Sequence, residues 1–394
     1  MSSPEQQARA NIDAALGHAG WSVQDIHALN LDAGRGVAVR EFPLGGGFGS
    51  ADYLLYVDGQ VVGVIEAKKE GTPLTGVEVQ TEKYAAGVPS HLPAPVRPLP
   101  FLYQSTGIET QFTNRLDPAP RSRLVSHFHR PETLGQWIAT EPVWLPLVDG
   151  APQSLSQRPS TLRGRLQTLP VVVPAGLWPA QLQAVQNLER SLRENRPRDL
   201  IQMATGSGKT FTAITSAYRL IKFAEARRIL FLVDRDNLGK QALKEFQQYV
   251  TPDDGRKFTE LYNVQRLTTN RLDPVARVVI TTIQRFYSML KGEPEMTVGD
   301  EELSLASLSD LVREPVDIEY NPAIPVETFD VVFIDECHRS IYTLWRQVIE
   351  YFDAFLVGLT ATPAKQTYGF FHAADAAVGA RRAARKTSRS ARRR

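Results

Sequence analysis

Five short, near-continuous apolar runs limit the fold of this chain more than any other feature. They are LIQMAT (200–205), RILFLV (228–233), RVVITT (277–282), DVVFID (330–335) and FLVGLT (355–360), with helical segments between them. A strand with water on one face alternates apolar and polar residues, whereas a strand covered on both faces does not. Parallel strands also need a crossover, which a helix supplies. The region therefore reads as a doubly wound α/β domain with a parallel sheet. The stretch 291–327 interrupts it, with ten acidic residues against Lys291 and Arg313, and reads as an exposed insertion.

The first of these strands runs into MATGSGKTFTA (203–213), and a helical pattern follows. That is the setting of a phosphate-binding loop. Glycines let backbone N–H groups face phosphates, the lysine reaches the β- and γ-phosphates, and the next hydroxyl holds Mg²⁺. The candidate nucleotide ligands are Thr205, Gly206, Ser207, Gly208, Lys209 and Thr210. Met203 stands where the pattern usually has its first glycine. Further on, VVFIDECHRS (331–340) ends a buried strand in two acids. Sheets of this kind bind ligands at the C-terminal ends of their strands. Asp335 is expected to hold the Mg²⁺ of a bound ATP, and Glu336 to position the attacking water.

The first 160 residues have a different texture. Residues 5–19 read as an amphipathic helix with Ala8, Ile12, Ala15, Leu16 and Ala19 on one side. Apolar runs at 53–57 and 61–67 flank Asp58-Gly59, which signals a hairpin. A helix over 76–87, a proline-rich loop over 88–100 and a strand over 101–105 follow, while 141–176 has no clear period. The second hairpin strand ends in Glu66-Ala67-Lys68. Metal-dependent phosphodiester cleavage needs hard oxygen ligands from neighbouring strands and a cation near the attacking water. Glu66 and Lys68 share a strand face, and Asp52 lies across the hairpin. A two-residue turn in strict register pairs Asp52 with Ile65 and turns it to the wrong face. The site therefore requires either a three-residue loop at 58–60 or a bulge. Gln80 and Tyr84 fall one above the other on the following helix.

Composition sets the remaining bounds. A length of 394 residues suits two or three domains. No apolar run approaches the roughly 18 residues that cross a bilayer, and the N-terminus lacks a secretory pattern. Cys337 is the lone cysteine, which excludes an internal disulfide and agrees with a cytoplasmic setting. The net charge of +2 is set by the last 23 residues, where eight basic residues face one acidic residue. Of 45 basic and 43 acidic residues in all, 37 and 42 remain outside that tail, so DNA contact must come from local patches.

These motifs together resemble a known family. DECH, TAT (360–362), LFLVDRDNLGKQ and VVITTIQRF look like the motor motifs of superfamily 2 helicases and translocases. Gln181 in LWPAQLQAV matches the glutamine that reads adenine there. With the acidic-Ala-Lys strand upstream, the set resembles the restriction (motor and nuclease) subunit of type I restriction–modification enzymes. The resemblance implies a PD-(D/E)xK nuclease domain over 1–160 with a proline-rich connector. A first RecA-like domain over 161–371 would follow. Asp52, Glu66 and Lys68 would be the catalytic triad, with Gln80 and Tyr84 as the Q-xxx-Y motif. Asp52, Glu66 and the Ala67 carbonyl would ligate Mg²⁺. The cofactors implied are ATP and Mg²⁺. The implied partners are double-stranded DNA and the methyltransferase and specificity subunits of the same system.

The resemblance ends near Phe371. Family members continue into a second RecA-like domain, so residues 372–394 are expected to be an aberrant basic tail. Nucleotide binding is expected to survive without turnover. Two rival readings follow from the same residues: a stand-alone DEAD/DEAH-type helicase with a non-catalytic N-terminal domain, and a non-catalytic DNA-binding remnant. The relative placement of Asp52, Glu66 and Lys68 separates the first rival from the nuclease.

Overall fold

A computed structural model describes residues 3–74, 76–139, 159–293, 318–338 and 344–371. The tail 372–394, most of the acidic insertion and most of the aperiodic connector lie outside these residues. The chain divides into two compact units. Unit 1 comprises residues 1–165 with 320–328 and 351–353, and unit 2 the remainder.

Unit 1 begins with helix α1 (Pro4–His18), started by a capping box in which Ser3 and Gln6 satisfy each other's amides. Ala8, Ile12 and Leu16 are buried along its inner stripe, as the period predicts. The strands are β1 (Trp21–Asp25), β2 (Gly36–Pro43), β3 (Ser50–Val57), β4 (Gln60–Ala67), β5 (Phe101–Ser105), β6 (Thr110–Asn114) and β7 (Arg123–Val125). They form one sheet in that order. The β1–β2 and β4–β5 pairs are parallel and the others antiparallel. Helix α2 (Glu78–Ala86) makes the β4-to-β5 crossover. The sheet is buried on both faces. One face packs Ile12 and Leu16 with Tyr53, Leu55 and Val62, and the other packs Leu54, Tyr56, Val61 and Val64 with Ala85. Each such side chain contributes roughly 1.5–3 kcal/mol. The C-terminal part of the acidic stretch departs from the exposed insertion expected from its charge. Ile324 and Val326 are buried, and Glu327 accepts bonds from the Arg130 amide and the Thr133 hydroxyl.

The β3–β4 hairpin settles the register question. Its turn is the two residues Asp58 and Gly59, both with positive φ (48° and 74°), and Val57 pairs with Gln60. The three-residue alternative at 58–60 is therefore excluded. The correction comes from a bulge instead. Tyr56 pairs with Val61 but Leu55 with Gly63, so Val62 is the extra residue. Beyond it Tyr53 pairs with Ile65, and the same register carried one step further sets Asp52 opposite Glu66. The Val61 amide bonds instead to the carbonyl of Pro93, in the proline-rich loop, at 2.8 Å.

Unit 2 holds β8 (Arg198–Gln202), β9 (Ile229–Val233), β10 (Val264–Arg266), β11 (Val278–Thr282), β12 (Val331–Ile334) and β13 (Phe355–Thr360). Their order is β10-β11-β9-β12-β13-β8, every pairing parallel. Helix α3 (Pro131–Ile138) belongs to unit 1 and α4 (Leu162–Leu166) ends at the boundary, while α5 (Pro179–Arg193), α6 (Lys209–Phe223) and α7 (Asp236–Gln248) are helices of unit 2. This is the doubly wound α/β arrangement that the apolar runs predict. The loops after β8, β12 and β13 all leave the same, C-terminal, edge of the sheet.

Gly63 follows the bulge, where an added Cβ would lie 2.6 Å from the Phe101 carbonyl oxygen. Gly63→Ala is expected to lower stability by about 1–3 kcal/mol in urea unfolding. Gly59→Ala, in open space with a left-handed backbone, should cost about 1 kcal/mol. Equal costs would show that close strand approach does not constrain position 63.

Candidate active sites

Unit 1 gathers its chemistry where β3 and β4 end beside α1 and α2. Asp52 is held at both oxygens: Oδ2 accepts the Ala67 amide at 2.8 Å, and Oδ1 accepts Arg9 Nη2 at 2.7 Å. Glu66 is 2% exposed. Its Oε1 accepts Lys68 Nζ, while Oε2 is buried without a hydrogen-bond partner. Burial pushes the Glu66 carboxyl above the usual carboxylate range, Lys68 works against this, and neighbouring Asp52 adds to it. Lys68 also donates to Gln80 Oε1 at 3.1 Å, and Gln80 Nε2 donates to the Tyr84 hydroxyl at 2.7 Å. The i and i+4 spacing on α2 thus fixes the amide: with its nitrogen on Tyr84, its oxygen can only face the ammonium. Ala67 lies at the end of β4, half-buried, with its N–H committed to Asp52. Four of the residues expected from the sequence, Tyr84, Gln80, Lys68 and Glu66, are joined in one hydrogen-bonded chain, and Asp52 lies across the strand on the Ala67 amide.

The fit to a divalent cation rests on the orphaned Glu66 Oε2, since a buried carboxylate oxygen without a donor calls for a positive ligand. Among the described residues no group of three or more His, Cys, Asp or Glu side chains could hold a metal. A cation here would rest on two carboxylates completed by main-chain oxygen and water, which suits Mg²⁺ better than a softer ion. Two neighbours of the site, Arg9 and Gln104, lie outside the motif residues. Arg9 pairs with Asp52 and with Glu41. Gln104, opposite Glu66 on β5, is fully buried, with Nε2 on Thr81 and Oε1 without a partner. A glutamine inside the apolar run FLYQS was a usable signal; nothing in the sequence distinguished Arg9.

In unit 2 the glycine loop turns on two left-handed residues, Gly206 (φ 79°) and Gly208 (φ 83°), and α6 starts directly at Lys209. An added Cβ at Gly208 would lie 2.3 Å from Gln181 Nε2, so the position requires glycine twice over. Gln181 is 5% exposed; its Oε1 accepts the Trp178 amide at 3.0 Å and its Nε2 donates to the Ser207 carbonyl at 3.1 Å. It braces the loop, with one lone pair and one hydrogen to spare. Met203 is absorbed by the sheet: its amide bonds to Thr360, and its side chain is buried against the Thr212 hydroxyl. Thr205 is exposed, while Ser207 and Thr210 are half-buried.

Lys209 Nζ lies 3.7 Å from Glu336 Oε1, and Glu336 Oε2 lies 3.3 Å from His338 Nδ1. His338 Nδ1 in turn meets the Thr360 hydroxyl at 3.0 Å, which links the acidic box to the TAT segment. Glu336 takes a left-handed backbone (φ 47°), a strained conformation for a non-glycine residue. Burial and the adjacent Glu336 push the Asp335 carboxyl up to about 6. That pair of acids beside a lysine suits a nucleotide-bound cation.

Two family models match parts of the chain. Residues 175–365 match the family described as Type III restriction enzyme, res subunit. Residues 27–97 match the second domain of the type I restriction enzyme EcoKI endonuclease subunit. The chain is 26% identical over 435 residues to the EcoKI endonuclease subunit of Escherichia coli (strain K12), covering 93% of this chain and 33% of that protein. The chain is thus similar, in both regions, to endonuclease subunits of type I restriction enzymes. The EcoAI endonuclease subunit of Escherichia coli is 31% identical over 193 residues, 48% of this chain and 19% of that one. A solved fragment of a putative HsdR subunit of a type I restriction enzyme from Vibrio vulnificus YJ016 covers 94% of this chain and 58% of its own, at 21% identity and a TM-score of 0.32. The chain spans about a third or less of the length of these two curated relatives. Met203 departs from the first glycine of the phosphate-loop pattern, and the loop keeps its two left-handed glycines, Gly206 and Gly208, after it.

Lys68→Met would leave the Glu66 carboxylate buried without its cation, and is expected to cost about 1–3 kcal/mol in urea unfolding. Adding Glu66→Gln should recover most of that loss, giving a coupling of about 1 kcal/mol or more in a double-mutant cycle. Simple additivity would remove the pair as the cause.

Proposed function

We propose that this chain is the nuclease and first motor region of a restriction subunit, cutting unmodified double-stranded DNA with Mg²⁺ and coupled to ATP-driven translocation. The observation that carries this is the Val62 bulge, which brings Asp52 into register with Glu66 beside a lysine held by Gln80 and Tyr84. A helicase with a non-catalytic N-terminal domain has no use for such an arrangement. Nor does it need a buried carboxylate oxygen without a partner.

In this reading Asp52, Glu66 and the Ala67 carbonyl hold Mg²⁺. The ion would polarise the scissile phosphate and lower the pKa of a bound water. Lys68 orients that water and offsets charge as it grows on the phosphate oxygens. Gln80 and Tyr84 fix where the ammonium stands. In unit 2, Thr205, Gly206, Ser207, Gly208 and Lys209 cradle the phosphates of ATP. Thr210 and Asp335 hold its Mg²⁺, Glu336 positions water, and Gln181 borders the adenine. Residues 1–160 and 161–371 are the two domains. The partners are DNA and the methyltransferase and specificity subunits, in the cytoplasm.

The test is Mg²⁺-dependent cleavage of unmodified duplex DNA, with the chain assembled with those subunits. Glu66→Gln and Lys68→Ala should each lower the rate roughly 10²–10³-fold, and Gln80→Ala by a smaller factor. Cleavage that survives Glu66→Gln sinks the nuclease assignment and leaves the helicase reading. Separately, Gly208→Ala and Lys209→Ala should weaken binding of a fluorescent ATP analogue about tenfold or more, with no change in DNA-independent Mn²⁺ binding at Glu66. Unchanged nucleotide affinity in both variants would refute the ATP site.

A further inference from the structure

We propose that Arg9 holds the place of the cation at Asp52, and that a divalent cation binds by displacing it. The inference rests on the nuclease reading and concerns a residue outside its motif. A cation shared by Asp52 and Glu66 needs an oxygen from each. Glu66 has one to give, because Oε2 is buried and without a partner. Both Asp52 oxygens already carry a donor, and a cation could share Oδ1 with a guanidinium only against like-charge repulsion. Asp52 Oδ2 is held by the Ala67 amide, a main-chain donor fixed at the end of β4, and its Oδ1 by the Arg9 guanidinium. A main-chain amide in a strand cannot leave without undoing the strand, whereas a side chain can rotate. Oδ1 is therefore the oxygen that can be released.

Arg9 has somewhere to go. Its side chain is 41% exposed, and its other terminal nitrogen already bonds to Glu41, which is 67% exposed. Glu41 lies between Arg40, paired with Tyr53, and Phe42, paired with Ala51, so it stands opposite Asp52 on the next strand. Its backbone is left-handed (φ 49°), an unusual conformation for glutamate in a strand. The arrangement gives the guanidinium two carboxylate partners, one at the buried site and one at the surface. Without a divalent ion, Arg9 and Lys68 neutralise the two acids of the site. With the ion bound, Arg9 keeps Glu41 alone. Arg9 is thus a positioning residue, and its removal should make cation binding easier, the opposite of what loss of a merely structural contact would do.

Calorimetric titration of the full chain with Mn²⁺, without DNA or nucleotide, tests this. The site is defined as the Mn²⁺ binding lost in Glu66→Gln. Arg9→Gln is expected to bind Mn²⁺ there roughly three- to tenfold more tightly, with Arg9→Lys in between. Arg40→Gln should change affinity by less than about twofold, because Arg40 pairs with Asp13 and Asp25 and not with Asp52. Equal or weaker binding in Arg9→Gln overturns the displacement, as does equal tightening in Arg40→Gln, which would reduce the effect to distant charge. If wild type binds Mn²⁺ through Glu66 but Arg9→Gln matches it, only this inference fails. If neither protein binds Mn²⁺ through Glu66, the nuclease reading fails with it.

Discussion

One extra residue in one hairpin strand governs the chemistry available to unit 1. Without Val62 the two-residue turn at Asp58-Gly59 would carry Asp52 onto the face opposite Glu66. With it, two carboxylates meet. The bulge is supported from three sides. The Val61 amide finds the Pro93 carbonyl, Gly63 allows the approach of Phe101, and Val62 itself fills the core beside Tyr53 and Leu55. The proline-rich loop thus has a structural part: it satisfies a backbone donor beside the irregular step in the β3–β4 pairing.

The site built on that register concentrates charge where water is scarce. Glu66 is almost wholly buried, and its neighbour Gln104 is buried with an unpartnered oxygen. Such groups cost free energy unless a ligand satisfies them. Lys68 meets one of the demands and is itself held by Gln80, whose amide is oriented by Tyr84. The spacing of four on α2 therefore acts through the lysine. The same logic runs through unit 2, where Gln181 braces the glycine loop from below and a strained Glu336 is drawn between Lys209 and His338.

The parallel sheet of unit 2 was legible because burial on both faces leaves apolar runs that need no partner to be recognised. The run FLVGLT is β13 at its full length, and the other four runs match their strands to within a few residues. Strands β1, β2, β6, β7 and β10 leave no such run. Several of those strands are short or carry mixed patterns such as TQFTN, whose strand character comes from neighbours in the sheet. The charge of the acidic stretch predicts exposure. Glu327 is nonetheless buried, because the Arg130 amide and Thr133 satisfy it, and composition carries no trace of such partners.

What the sequence determined by itself was local. It set the left-handed glycines before Lys209, the acids at the end of β12, the turn at Asp58-Gly59 and the helical spacing of Gln80 and Tyr84. Each follows from the conformational range or periodicity of a few adjacent residues. It could only pose the alternatives for Asp52: a longer loop or a bulge. The tertiary structure decided between them, because where an extra residue enters a strand depends on what can receive its displaced amide and side chain. Here the receivers are Pro93 and the core around Tyr53, tens of residues away or on another strand. The same holds for Arg9, whose pairing with Asp52 exists only because α1 packs beside the strand end.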